Sequence, residues 1–308
     1  MNNYIMPIDR ATLEAVIKAS GGGVNTEVYI EPLLEKLNQL QAHRQYQPLL
    51  EQLLRAKNPG DLRGRVLEVN FARAFLQKQI SLEYGAKQGG KGDIDFCWNT
   101  ELGKVHVELK LLGEQQAIQT AVHSQLASGG IFQISQADDT QDVGRIQRDI
   151  FGKSSPSKFN PIVVDGCINL VGVDVSELQL GAIDECDCVH AVGGANMARC
   201  HFDHAFIRPA VVGALEPLRE HGPDQKSWVD RYHPQPEPDP HPRSYIHGVV
   251  FLFRTPSERA ALSYELQSCI VWNPGLIDIG LAKKVAEAWY GVLSVRTNQI
   301  SSWIAATN

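Results

Sequence analysis

The stretch Lys104-Val-His-Val-Glu-Leu-Lys-Leu-Leu112 alternates apolar and polar residues with a period of two, and this constrains the fold more than any other feature of the chain. Side chains on a β-strand point to opposite faces in turn, so Val105, Val107 and Leu109 share one face and His106, Glu108 and Lys110 the other. Such a strand belongs in a sheet with its apolar side laid on a core. Ile94–Trp98 reads as its neighbour, joined to it by Asn99-Thr100-Glu101-Leu102-Gly103, a hairpin-like connection. The same parity puts Asp93 and Asp95 on one face of this neighbour, with Ile94 and Phe96 opposite.

Helical periodicity precedes the two strands. Leu33, Leu34, Leu37 and Leu40, then Leu49, Leu50, Leu53 and Leu54, recur at three- and four-residue steps across 27–57, with a break before Pro48. Asn58-Pro59-Gly60 ends this unit, and Asp61 is the expected N-cap of a helix over 62–78 that lines Leu67, Phe71 and Phe75 on one face. Helices are also expected at 115–128, 142–152 and 278–291, and strands at 167–175, 247–254 and 262–272. Between the strands lies 181–245, rich in Cys, His and Pro. It ends in His233–Pro242, where proline at every second position excludes regular helix or central strand. The expected fold is α/β: a central mixed sheet flanked by helices, divided into an N-terminal helical unit (1–58) and a core (59–308) that carries 181–245 as an insertion.

With 43% hydrophobic and 21% charged residues among 308, the chain has a globular composition rather than a disordered or fibrous one. No run approaches the roughly 20 apolar residues that span a bilayer. The opening, MNNYIMPIDRATLEAV, lacks the basic start and apolar run of a secretory signal. The six cysteines are too few and too scattered for a disulfide scaffold, so a reducing cytoplasm is expected, without membrane attachment.

Four residues carry the chemistry: Glu68 on the 62–78 helix, Asp95 in Gly92-Asp-Ile-Asp-Phe96, and Glu108 and Lys110 on the alternating strand. If the strands pair, carboxylates and an ammonium converge at one end of a half-buried sheet. Burying such a cluster is costly unless the charges neutralise one another or hold a cation. Oxygen donors of this kind suit Mg²⁺ or Mn²⁺. A metal on Asp95, Glu108 and the Leu109 carbonyl could polarise a phosphate, with Lys110 orienting the attacking water and Glu68 completing the shell or holding a second ion.

A helical Glu, then a strand Asp, then Glu-x-Lys on the next strand resembles the PD-(D/E)xK nuclease superfamily, with its restriction-endonuclease-like fold. The resemblance runs from Glu68 to Lys110, with supporting element order to about Val175. It implies a Mg²⁺-dependent endonuclease acting on DNA, of restriction or defence type. Asp95 and Glu108 would be metal ligands, Lys110 the residue that assists water, and Glu68 an accessory acid. The sequence departs from the family's pattern in that Asp93, not Pro, stands two positions before Asp95, as in many divergent members. Gln119 is followed at Gln-x-x-x-Tyr spacing by His123. The alternative is a non-catalytic nucleic-acid-binding or scaffold protein that retains the fold. A homodimer is left open.

Other features weigh less. Asp93-Ile-Asp95 matches the Asp-x-Asp element of glycosyltransferases but lacks a nucleotide-binding unit ahead of it. Cys186, Cys188, Cys200, His201 and His204 could form a structural zinc site, though plain packing is the better reading of so irregular a spacing. His106 is either peripheral to the site or a solvated strand histidine. Arg145, Arg148, Lys153 and Lys158 form a local basic run that is either an exposed helix face or a phosphate contact. Residues 1–158 hold 18 Lys+Arg against 18 Asp+Glu, so the net charge of −6 falls on the remainder. Any nucleic-acid contact is therefore local or assisted by bound cations.

Overall fold

The structure, a computed structural model, describes residues 8–21, 27–87, 92–113, 139–153, 158–160, 166–178, 183–184, 187–188, 191–192, 242–254, 262–273 and 275–296. In chain order the elements are α1 (Arg10–Ala19), α2 (Glu27–Gln41), α3 (Gln47–Leu54), α4 (Pro59–Gln77), β1 (Glu83–Ala86), β2 (Ile94–Thr100), β3 (Gly103–Leu111), α5 (Asp139–Lys153), β4 (Cys167–Asp174), β5 (Gly248–Arg254), β6 (Leu266–Trp272), α6 (Ile279–Tyr290) and β7 (Ser294–Val295). The strands form one mixed sheet in sequential order. β1, β2 and β3 are antiparallel, β3, β4 and β5 parallel, β5 and β6 antiparallel, and β6 and β7 parallel. The α/β expectation therefore holds: a mixed sheet flanked by helices.

The sheet separates two apolar clusters. On one face, Phe96, Val105, Val107, Leu109, Leu170, Val250 and Ile270 pack with residues of α1–α4 and α6. On the other, Val171, Val173, Val249 and Phe251 pack with Ile146 and Ile150 of α5. The alternation read for β3 is the alternation observed. α4 delivers Phe71 and Phe75 into an aromatic group with Phe96, Trp98 and Trp289, ring centroids 5.0–6.4 Å apart. Such pairs add to simple area burial and fix the pose of α4 against β2.

Local chemistry moves one boundary. α4 begins at Pro59 because Asn58, not Asp61, is its cap. The Asn58 side chain accepts from the Asp61 N–H at 2.9 Å, and Pro59 needs no donor at that position. Asp61 sits in the first turn instead, where its charge complements the helix dipole. The β2–β3 turn depends on glycine: Gly103 has φ +124°, and a Cβ there would run into the Gly166 carbonyl oxygen. α1 falls within the helical unit expected over 1–58, β1 and β7 had no expectation attached, and β6 starts at Leu266 rather than 262. The helix expected at 115–128 lies outside the described residues, as does most of 181–245.

Candidate active site

The β2–β3 ladder runs from the turn, Thr100 opposite Gly103, as far as Phe96 opposite Val107. Beyond it the carboxylates take over from the backbone. The Asp95 N–H donates to Glu108 Oε2 at 3.3 Å, and the Leu109 N–H donates to Asp95 Oδ2 at 2.7 Å. Each acid thus satisfies an amide of the opposite strand that the opened ladder leaves over. The opening also breaks the parity of β2. Ile94 packs in the cluster on the α5 face and Phe96 in the one on the α4 face, so the expectation that they share a face is corrected.

Glu108, on the α5 face, has no solvent exposure. Its Oε1 accepts from Lys153 Nζ at 2.5 Å and from Lys158 Nζ. Lys110, on the same face, points to Asp149 Oδ2 at 3.8 Å. The match between elements is geometric. Two residues of strand span ~6.6 Å, and four residues of helix span ~6 Å. Glu108 and Lys110 on β3 therefore face Lys153 and Asp149 on α5 with opposite signs. Lys153, one of the basic run read as either an exposed helix face or a phosphate contact, stands on an acid of the cluster. Arg145 is not an exposed helix arm either: it pairs with Asp142 at 2.8 Å and donates to the Gly113 carbonyl, tying α5 to the end of β3. Arg148 is half-buried on the same helix.

Glu68 reaches the site from α4. Its two oxygens accept from Arg65 Nη1 at 2.7 and 2.8 Å, and Oε2 also accepts from Tyr84 Oη at 2.9 Å. Neither partner was singled out from sequence, although Arg65 lies three residues before Glu68, the spacing of helix neighbours. Burial, then the charges of Glu68 and Glu108, push the Asp95 carboxyl up to about 7. Burial raises Glu68 as well, against Arg65 and the Tyr84 hydroxyl. Burial works against the Lys153 ammonium, but Glu108, Asp95 and Glu68 outweigh it and hold the lysine above its ordinary value.

Arg65, Glu68, Lys110 and Lys153 line part of a cleft of about 260 Å³, together with Gly60 and Gly64. Apart from its chain neighbours and the backbone of its own helix, no described atom lies within 4 Å of where a Cβ on Gly64 would stand, so α4 offers bare backbone to the cleft. Behind the cleft, a buried network braces the strand ends. Arg254 bonds Asp174 at 2.8 and 3.1 Å and Glu177 at 3.2 Å, and Glu177 also bonds Arg63 of α4 at 2.9 Å. Asp174 is the register partner of Leu111, next to Lys110. Nothing in the spacing of these residues marked them out.

His106 is neither solvated nor in the acid cluster. It is 4% exposed, its Nδ1 has no partner among the described residues, and burial lowers its pKa with help from Lys104. Cys188 is buried, and Cys186, Cys200, His201 and His204 lie outside the described residues, as do Gln119 and His123. Among the described residues no three His, Cys, Asp or Glu side chains stand close enough to hold a metal ion between them. The donors suit a hard cation in kind, and Asp95 and Glu108 already bond across the two strands, but Arg65, Lys153 and Lys158 share the acids. Among the described residues no helix is long and apolar enough to cross a membrane. Compared with known proteins, the chain matches no family model, no curated protein and no solved structure.

Proposed function

We propose that this chain is a Mg²⁺-dependent endonuclease of the PD-(D/E)xK kind, with a restriction-endonuclease-like core and DNA as its substrate. One observation carries the reading. Asp95 and Glu108 bond across the two strands where the β2–β3 ladder opens, the charge of Glu68 on α4 acts on Asp95, and Glu68 lines the same cleft as Lys110. The element order agrees with it: α4, three antiparallel strands, then β4 parallel to β3. Asp95 and Glu108, with the Leu109 carbonyl, would hold Mg²⁺, or Mn²⁺ in its place. The bound ion supplies a Lewis acid that polarises the phosphate and acidifies water. Lys110, 35% exposed at its side chain, orients the attacking water and offsets charge growing on the phosphate. Arg65 opposes the effect of burial on Glu68 and holds its carboxylate in place through contacts of 2.7 and 2.8 Å. The braced strand ends hold these groups in position, which is where much of a phosphoryl-transfer rate comes from.

The test is incubation of the full chain with duplex, single-stranded and branched DNA and with RNA, in Mg²⁺, Mn²⁺ or EDTA. Cleavage that needs metal and disappears in Glu108→Gln is the expected result. A second reading draws on the cations already on the acids: a non-catalytic protein whose charge network is structural. Nucleic-acid binding that persists in EDTA, with no cleavage in either metal, would select that reading.

A further inference from the structure

We propose that Lys153 and Lys158 are exchangeable counter-ions of Glu108, displaced when a divalent cation enters the cluster and then free to take a substrate phosphate. This rests on the metal-dependent reading above and says how the same site is regulated. The asymmetry of burial carries it. The Glu108 side chain is 0% exposed, whereas those of Lys153 and Lys158 are 26% and 28% exposed. The carboxylate is fixed in the interior and the ammonium groups reach it from the rim on long flexible stems. When the pair separates, only the lysines can move out to water or to a ligand.

A cation that takes Glu108 competes with the lysines at one oxygen. Glu108 Oε2 is engaged by the Asp95 N–H and Asp95 Oδ2 by the Leu109 N–H, while Oε1 of Glu108 carries both lysines. Lys110 is not a competitor, because it faces Asp149. Arg65 holds Glu68 through two short contacts and has no reason to leave. With all three acids ionised, the charges of Glu68, Asp95 and Glu108 are matched by those of Arg65, Lys153 and Lys158. Adding a divalent ion to this neutral set creates an excess of two positive charges. Lys153 and Lys158 carry that excess to the rim of the cleft, where a phosphodiester neutralises it. A chain of net charge −6 would thereby hold a polyanion only after it has bound metal.

The experiment is Mn²⁺ titration of the full chain without nucleic acid, free Mn²⁺ being read by electron paramagnetic resonance. Wild type, Lys153→Met, Lys158→Met and Asp95→Asn are compared. Each lysine variant should bind Mn²⁺ roughly fivefold more tightly, the scale of one partly exposed ion pair. In Ca²⁺ each should bind duplex DNA more weakly, with a salt slope lower by about one. Unchanged or weaker Mn²⁺ binding in both lysine variants, with Asp95→Asn still abolishing it, overturns the exchange and leaves the metal site standing. Absence of Mn²⁺ binding from wild type removes the nuclease reading and the exchange together. Should Lys153→Met fail to fold, Lys158→Met, which keeps one lysine on Glu108, decides by the same two readouts.

Discussion

Asp95→Asn tests whether the three acids share one electrostatic field. Burial, then Glu68 and Glu108, push the Asp95 carboxyl up to about 7, whereas an aspartate in the unfolded chain titrates near ~3.9. Between those values the native protein holds a proton that the unfolded chain has lost. The unfolded state binds fewer protons there, so stability falls as pH rises, by at most ~1.4 kcal/mol per unit. The whole contribution is present below the unfolded value and lost as pH passes the folded one. Summed over about three units this reaches ~4 kcal/mol, and solvent in the cleft screens it to on the order of 2 kcal/mol. Asparagine does not titrate, and its oxygen can still accept the Leu109 N–H. In EDTA the variant should match wild type near pH 4 and exceed it by that amount at pH 8. Urea unfolding at each pH from 4 to 9 measures the difference. A difference that does not change with pH, or a less stable variant at pH 8, would refute the shared field. Mg²⁺ added at pH 8 should stabilise wild type and leave the variant unmoved.

Gly64→Ala should stabilise the protein by about 0.5–1 kcal/mol, since it removes a helix-interior glycine and meets no neighbour. Gly64→Leu should keep that fold yet block the cleft, seen as lost DNA binding in Ca²⁺ with an unchanged melting temperature. Arg254→Met strands buried Asp174 and leaves Glu177 to Arg63 alone, and should cost about 3–5 kcal/mol in urea unfolding. Lys110→Ala should slow cleavage at least ~100-fold with little effect on DNA binding in Ca²⁺. His106→Ala should cost far less in rate, and equal damage from both would point to a histidine base.

The sheet was legible because period-two patterning is a local property. Val105, Val107 and Leu109 face the α4 side as their alternation requires, and Leu67, Phe71 and Phe75 announced the buried stripe of α4. β2 shows where that logic ends. Alternation placed Ile94 with Phe96, yet the two acids bond the opposite backbone and the strand turns over between them. A side chain that replaces a ladder hydrogen bond does not disturb the hydrophobic pattern, so no count of periods could have found it. Asn58 as the cap of α4 was within reach of the same rules, since Asn before Pro is a strong helix start.

The partners of the acids are a harder case. Glu-x-Lys on a strand face has the same local sequence whether it meets a metal, solvent or a second row of charges. What decides is the element docked over it, and here Glu108 meets Lys153 across 45 positions of chain. The clue was complementarity rather than motif. Asp149 and Lys153 repeat the signs of Glu108 and Lys110 in reverse at a spacing that a helix and a strand share. Electrostatics selects such a pairing only once α5 is laid against β3, and it is the burial of Ile146 and Ile150 on Val171 and Val173 that lays it there. Hydrophobic packing therefore chooses which lysines guard Glu108. Moving the apolar stripe of α5 by one residue would unseat Lys153 from Glu108 without touching a single charge.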